Sequence, residues 1–113
     1  MAEMIDLIDT KEQVESYISE HFDRLFVNSD IHYPESPNSK LYFQIKYGET
    51  VILEMSFWLN DQCRCEAVDL DEALLIFEDE ISIKSEVKPS QLMCEKVKLF
   101  NDYIQKKNHS LLT

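Results

Sequence analysis

The side chains with chemistry to offer are three histidines, three cysteines and 22 carboxylates in 113 residues. His32 stands near Asp30 and Glu35, types that can move a proton or hold a metal, but no second ligand follows at a metal-binding spacing. His21 lies beside an apolar helical stripe, where a hydrogen-bonded packing role is its ordinary state. Cys63-x-Cys65 projects to one side of a strand, and with Cys94 the cysteine count is odd. That pattern predicts reduced, buried thiols in place of a disulfide framework or zinc site. Cys94 falls beside Lys98, Asn101 and Gln105, away from its own apolar stripe, where a lysine would lower its pKa. No catalytic partner for it is identifiable.

The single glycine, Gly48, excludes phosphate-cradling loops and dinucleotide fingerprints, which need several. With so many acids, paired carboxylates carry no information about acid–base hydrolysis. The expectation is therefore no catalytic residue, no metal, no cofactor and no enzymatic activity.

The elements that must position any site begin with Leu41 to Ala67. Leu41, Phe43, Ile45 and Tyr47 alternate on one side of a first strand, and Val51, Leu53, Met55, Phe57 and Leu59 on one side of a second. A three-residue turn at Gly48-Glu49-Thr50 sets Tyr47 against Val51, Ile45 against Leu53 and Phe43 against Met55. A three-residue loop at Asn60-Asp61-Gln62 then sets Leu59 against Cys63, Phe57 against Cys65 and Met55 against Ala67. The opposite face carries Tyr42, Gln44, Lys46, Ile52, Glu54, Ser56, Trp58, Arg64, Glu66 and Val68. In this register Trp58 and Arg64 are cross-strand neighbours and Tyr42 stands beside Ser56. Tyr, Trp and Arg are enriched in binding hot spots. Two plainer arrangements compete: a helix covers this face and makes Trp58 core, or Arg64 merely stacks on Trp58 for about 0.5 to 1 kcal/mol.

Thr10 with Gln13 is a capping-box signature, and Val14, Ile18, Phe22 and Leu25 form an apolar stripe, predicting a helix over 11–27. Met4 to Ile8 is a short apolar segment of undecided state. Asn28 to Lys40, with Pro34 and Pro37, reads as a loop. Asp69 with Glu72 repeats the capping pattern, and Leu70, Ala73, Leu74, Phe77 and Ile81 predict a second helix over about 70–80, with 81–87 as an optional edge strand. Glu78, Asp79 and Glu80 would then oppose that helix's dipole. Pro89 opens a last helix whose Met93, Val97, Phe100 and Ile104 line, widened by Leu92, Leu99 and Tyr103, packs on the apolar sheet face. Its tail is expected to fray from Ser110. The expected class is α+β, a single domain over 1–113. A three-stranded antiparallel meander, or four-stranded with the edge, carries terminal helices on one face in the order α-β-β-β-α-(β)-α.

The formal charge is −11. It argues against direct nucleic-acid binding and against an anionic membrane surface, and favours a basic protein partner reached by electrostatic steering. Acids concentrate in residues 1–30, eight against two bases, and 61–86, nine against two, while 87–113 holds two against five. The acidic N-terminus and the lack of a long apolar run predict a cytoplasmic chain.

In its acidic clusters, Glu12, Glu15, Glu20, Asp23 and Asp69, Asp71, Glu72, Glu78, Asp79, Glu80, and its aromatic face of Tyr42, Trp58 and Arg64, the chain resembles small acidic immunity proteins of bacterial toxin systems. The resemblance implies stoichiometric occlusion of a basic nuclease domain. The candidate partner-binding residues are thus Tyr42, Glu54, Trp58, Arg64, Glu66, Asp69, Asp71, Glu72, Glu78, Asp79 and Glu80, with monomer and dimer both open. Two other classes stay in view: a secretion-type chaperone, which such acidic chains also resemble, and a DNA mimic of the anti-restriction or anti-CRISPR kind.

Overall fold

The computed structural model describes residues 2–32, 39–58, 62–82 and 88–112, with side chains described between 7 and 108. The chain runs α1 (Ala2–His21), β1 (Phe26–His32), β2 (Lys40–Tyr47), β3 (Val51–Trp58), β4 (Gln62–Asp69), β5 (Leu74–Ser82) and α2 (Pro89–Leu112). The strands form one antiparallel sheet in chain order. The fold is α+β with an antiparallel meander, as expected, but with five strands.

The meander's inner face is dictated by alternation. Leu41, Phe43, Ile45, Val51, Leu53, Met55, Phe57, Cys63, Cys65 and Ala67 are all buried on it. The two helices close over that face: Leu7, Val14 and Ile18 from α1, and Met93, Val97, Phe100 and Ile104 from α2, complete the core. Truncating a side chain such as Phe43 there would cost about 3 to 5 kcal/mol. Ser90 ties the helices together, its hydroxyl donating to Gln13 Oε1 at 2.6 Å.

Several expectations are overturned. α1 starts at Ala2 and ends at His21, because Leu7 belongs to the same buried stripe as Val14 and Ile18. Thr10 consequently lies buried inside the helix and caps nothing. Residues expected to finish that helix or to form a loop instead make β1, in which Val27, Ser29 and Ile31 turn inward and pair with β2. Both prolines of the expected loop lie outside the described residues.

The expected helix over 70–80 is a turn, Leu70 to Ala73, followed by β5. Its apolar residues satisfy helical spacing and, for Phe77 and Ile81, strand spacing equally. The unpaired edge of β4 decides between them, since a fifth strand satisfies its backbone groups. The capping residue still caps, for Asp69 Oδ1 accepts from the backbone amides of Asp71 and Glu72, but it caps a turn. Residues 81 and 82 continue β5, and 83–87 lie outside the described residues. α2 begins at Pro89 as expected and continues through Leu112, past the expected fraying point. Leu99 does not widen its stripe, being 51% exposed.

Candidate interaction face

Both helices occupy one side of the sheet, so the other side carries no described element. Period-2 alternation and antiparallel pairing, interrupted by one bulge in β5 opposite Ala67 and Val68, sort its side chains into rows that run across the strands. One row is Asn28, Gln44, Glu54, Glu66 and Glu78, each paired with the next. The adjacent row is Asp30, Tyr42, Ser56, Arg64 and Glu80. On the far side of the glutamates run Phe26, Lys46, Ile52, Val68 and Leu75, and beyond the Arg64 row His32, Lys40 and Trp58 are paired in turn.

The β2–β3 register matches the expected one, including Tyr42 beside Ser56. The β3–β4 register is displaced by two residues: Phe57 faces Cys63, Met55 faces Cys65 and Leu53 faces Ala67. A shift of one would have inverted the strand, whereas a shift of two keeps every side chain on its face and changes only its neighbours. Arg64 therefore faces Ser56 and not Trp58, and the loop residues 59–61, with Leu59, lie outside the described residues. The cation beside Trp58 is Lys40, its cross-strand partner, with Nζ 5.6 Å from the indole centroid and 5.8 Å from the Tyr42 ring.

The row Glu54, Glu66, Glu78 places like charges directly opposite one another, which disfavours a sheet by up to about 1 kcal/mol per pair. Arg64 offsets part of this. Its Nη2 lies 3.3 Å from Glu66 Oε2 and 3.8 Å from Glu78 Oε1, and its Nε 3.8 Å from Glu80 Oε1. All of these groups are solvent-exposed enough that each pair contributes at most about 1 kcal/mol. Tyr42 donates its hydroxyl to Glu54 Oε2 at 2.5 Å. Burial, and then this bond to a carboxylate, push the phenol up to about 12, so it stays a neutral donor. Tyr42, Glu54, Ser56, Arg64 and Glu66 line a shallow depression of about 110 Å³.

The structure thus brings Tyr42, Glu54, Trp58, Arg64, Glu66, Glu78 and Glu80 onto one surface and removes two expected members. Asp69 is fully buried on the helix side, where its Oδ2 accepts from Tyr103 Oη and Lys107 Nζ at 2.7 Å each. Asp79 also faces the helices and pairs with Lys96 at 2.5 Å. Asp71 and Glu72 sit exposed in the turn between β4 and β5, Asp71 accepting from Thr50 Oγ1 at 2.8 Å. Of the N-terminal block, Asp9, Glu12, Glu15 and Glu20 belong to α1 on the opposite side, where Glu15 is held by Lys11 and Ser29, while Asp30 lies on β1 on the open face. The two acidic blocks therefore do not merge into one patch.

Residues the sequence reading missed are Lys40 as the aromatic cation, and Leu75 as the end of an apolar row. One signal was available: Glu54, Glu66 and Glu78 recur every twelve residues. In an antiparallel meander of constant strand-plus-turn length the mid-strand row recurs at that length, because it is the row about which alternate strands reverse.

Two of the three histidines, His21 and His32, have described side chains. His32 Nε2 lies 3.7 Å from Asp30 on the exposed first strand. His21 Nδ1 meets the Tyr17 carbonyl at 3.0 Å and lines a groove of about 480 Å³ with Arg24, Tyr47, Asn101, Gln105 and Asn108, beside a single carboxylate, Asp23. Cys63 and Cys65 are buried free thiols 3.9 Å apart, and contact between them together with burial pushes the Cys65 thiol up. Cys94 is half-buried, and burial raises its pKa, the opposite of the expected lysine effect. Among the described residues no cluster of His, Cys, Asp or Glu could hold a metal ion, and no helix is long and apolar enough to cross a membrane. Comparison with family models, with curated proteins and with solved structures returns no match for this chain.

Proposed function

We propose that the chain is a protein-binding module that receives a basic partner on the open face of its sheet, acting as an immunity-type inhibitor that blocks a basic nuclease toxin without any reaction of its own. The observation that carries this reading is a sheet face with no described element over it that holds a glutamate row and an aromatic corner, in a chain of net charge −11. Such a face combines the hot-spot residue types with a potential that speeds encounter with a cation-rich surface. The local repulsion among Glu54, Glu66 and Glu78 has no stabilising purpose within the sheet, and a cationic partner would relieve it.

The test is co-expression with the product of the neighbouring reading frame, followed by pull-down at low and high salt. The expected result is a stoichiometric complex with a basic, growth-inhibiting protein, weakened by salt. A neighbour that is neither basic nor toxic removes the proposal. The chaperone reading draws on the exposed Leu70, Leu74 and Leu75 around the β4–β5 turn. It requires a dimer, so a monomer in light scattering rejects it. DNA mimicry is supported less well, since carboxylates on adjacent strands stand about 4.8 Å apart against about 3.4 Å per phosphate step, and Arg64 interrupts the negative field.

A further inference from the structure

We infer that the partner element seated on this face is an amphipathic α-helix laid across the strands, with basic residues over Glu54, Glu66 and Glu78 and an apolar stripe over Ile52, Val68 and Leu75. The inference rests on the reading above, that a basic partner occupies the open face, and adds the shape and direction of what it presents.

The argument is one of matching periods. Glutamates in register on three adjacent strands stand at roughly 0, 4.8 and 9.6 Å along a line crossing the sheet. Residues i, i+3 and i+7 of a helix share one side and stand at roughly 0, 4.5 and 10.5 Å along its axis. An extended segment repeats about every 6.7 Å on one side, so laid across the strands it is nearly 4 Å out of step by the third carboxylate. A helix crossing the strands is the element whose side-chain spacing follows the row.

The second row supplies independent support. Ile52 and Val68 lie two residues from the glutamates along β3 and β4, an offset of roughly 6.7 Å, and a bulge opposite Ala67 and Val68 brings Leu75, three residues from Glu78, into pairing with Val68 at the end of the same row. A helix of 10–12 Å diameter covers both rows at once. Leu75 is 52% exposed, and Ile52 and Val68 are half-buried with no described helix over them. Charge complementarity selects the basic side of the helix, because Glu66, Glu78 and Glu80 share the guanidinium of Arg64 while Glu54 accepts only from the neutral Tyr42 hydroxyl among its described side-chain contacts.

The experiment is an amide chemical-shift titration of the full chain with two helix-stapled peptides of identical composition. One carries arginines at i, i+3 and i+7 beside a leucine stripe, and in the other the same residues are permuted. The expected result is shifts centred on Glu54, Glu66, Glu78 and Val68, with the permuted peptide about tenfold weaker. The E54Q/E66Q/E78Q variant should bind the patterned peptide about tenfold more weakly while melting no lower than the parent, since opposed like charges are removed. Equal binding of the two peptides, or shifts confined to α1, overturns the inference. Retained binding of the basic neighbour by the triple variant overturns it too, yet leaves the binding-module reading standing. A neighbour that never binds the parent chain defeats that reading, and with it the partner this helix belongs to, whatever the peptides do.

Discussion

Asp69 is fully buried, and its two oxygens take hydrogen bonds from Tyr103, Lys107 and the backbone amides of Asp71 and Glu72. Burial works to raise its pKa, but the bonds from Lys107, Tyr103 and Glu72 outweigh it, holding the carboxyl below its usual range. A group held low in the native state stabilises it above the unfolded value of about 4, and that contribution is lost as pH falls through the native value. Tyr103 and Lys107 are both raised, first of all by their bonds to Asp69, so their contribution is full below about pH 10 and lost as pH climbs. Asp69→Asn should therefore destabilise the chain by roughly 3 kcal/mol near neutral pH and flatten the acid limb of its stability curve, as read by urea titration between pH 3 and 8. An unchanged acid limb would mean that other carboxylates carry it. Asp69 was legible as a helix cap and an interface acid. It is a turn cap and an internal anchor, because its fate depends on Tyr103 and Lys107, which lie 34 and 38 residues away along the chain.

At the scale of elements, alternation made β2, β3 and β4 readable, and the line Met93, Val97, Phe100, Ile104 made α2 readable. Both patterns report which side of an element is buried. Neither reports what lies alongside, and the errors are of that kind: β5 mistaken for a helix, β1 for a loop, and a register displaced by two. The turn between β2 and β3 was correct because it depends on local backbone only. Gly48 adopts φ 64°, and a Cβ there would meet nothing within 4 Å. Gly48→Ala should thus cost about 1 kcal/mol, the backbone penalty of a left-handed residue alone, with no added steric loss. Thermal unfolding checks this, and a cost several times larger would indicate a contact the free Cβ does not show.

For the molecule as a whole, the excess of acids repels itself, and the pairs Lys96–Asp79 and Lys107–Asp69 neutralise only the acids turned toward α2. Salt should therefore act in opposite directions on stability and on binding. Raising NaCl from about 0.02 to 0.5 M shortens the screening length from roughly 20 to 4 Å, so the melting temperature should rise while affinity for a basic partner falls. Calorimetry and binding titrations over one salt series test both signs, and a melting temperature that falls with salt would show that attractive pairs outweigh the self-repulsion.

From its residues alone this protein was determined to be an acidic α+β chain with an antiparallel meander, a two-sided central sheet and an apolar final helix, because side-chain periodicity and net charge are local or additive properties. Tertiary structure alone decided that five strands form, and that of the candidate acids Glu66, Glu78 and Glu80 meet Arg64 on the open side, with Glu54 bonded to Tyr42 beside them, while Asp69 and Asp79 turn inward. Those outcomes depend on strand pairing and on which helix lysine reaches which carboxylate, and such pairings join residues whose separation along the chain leaves no periodic trace.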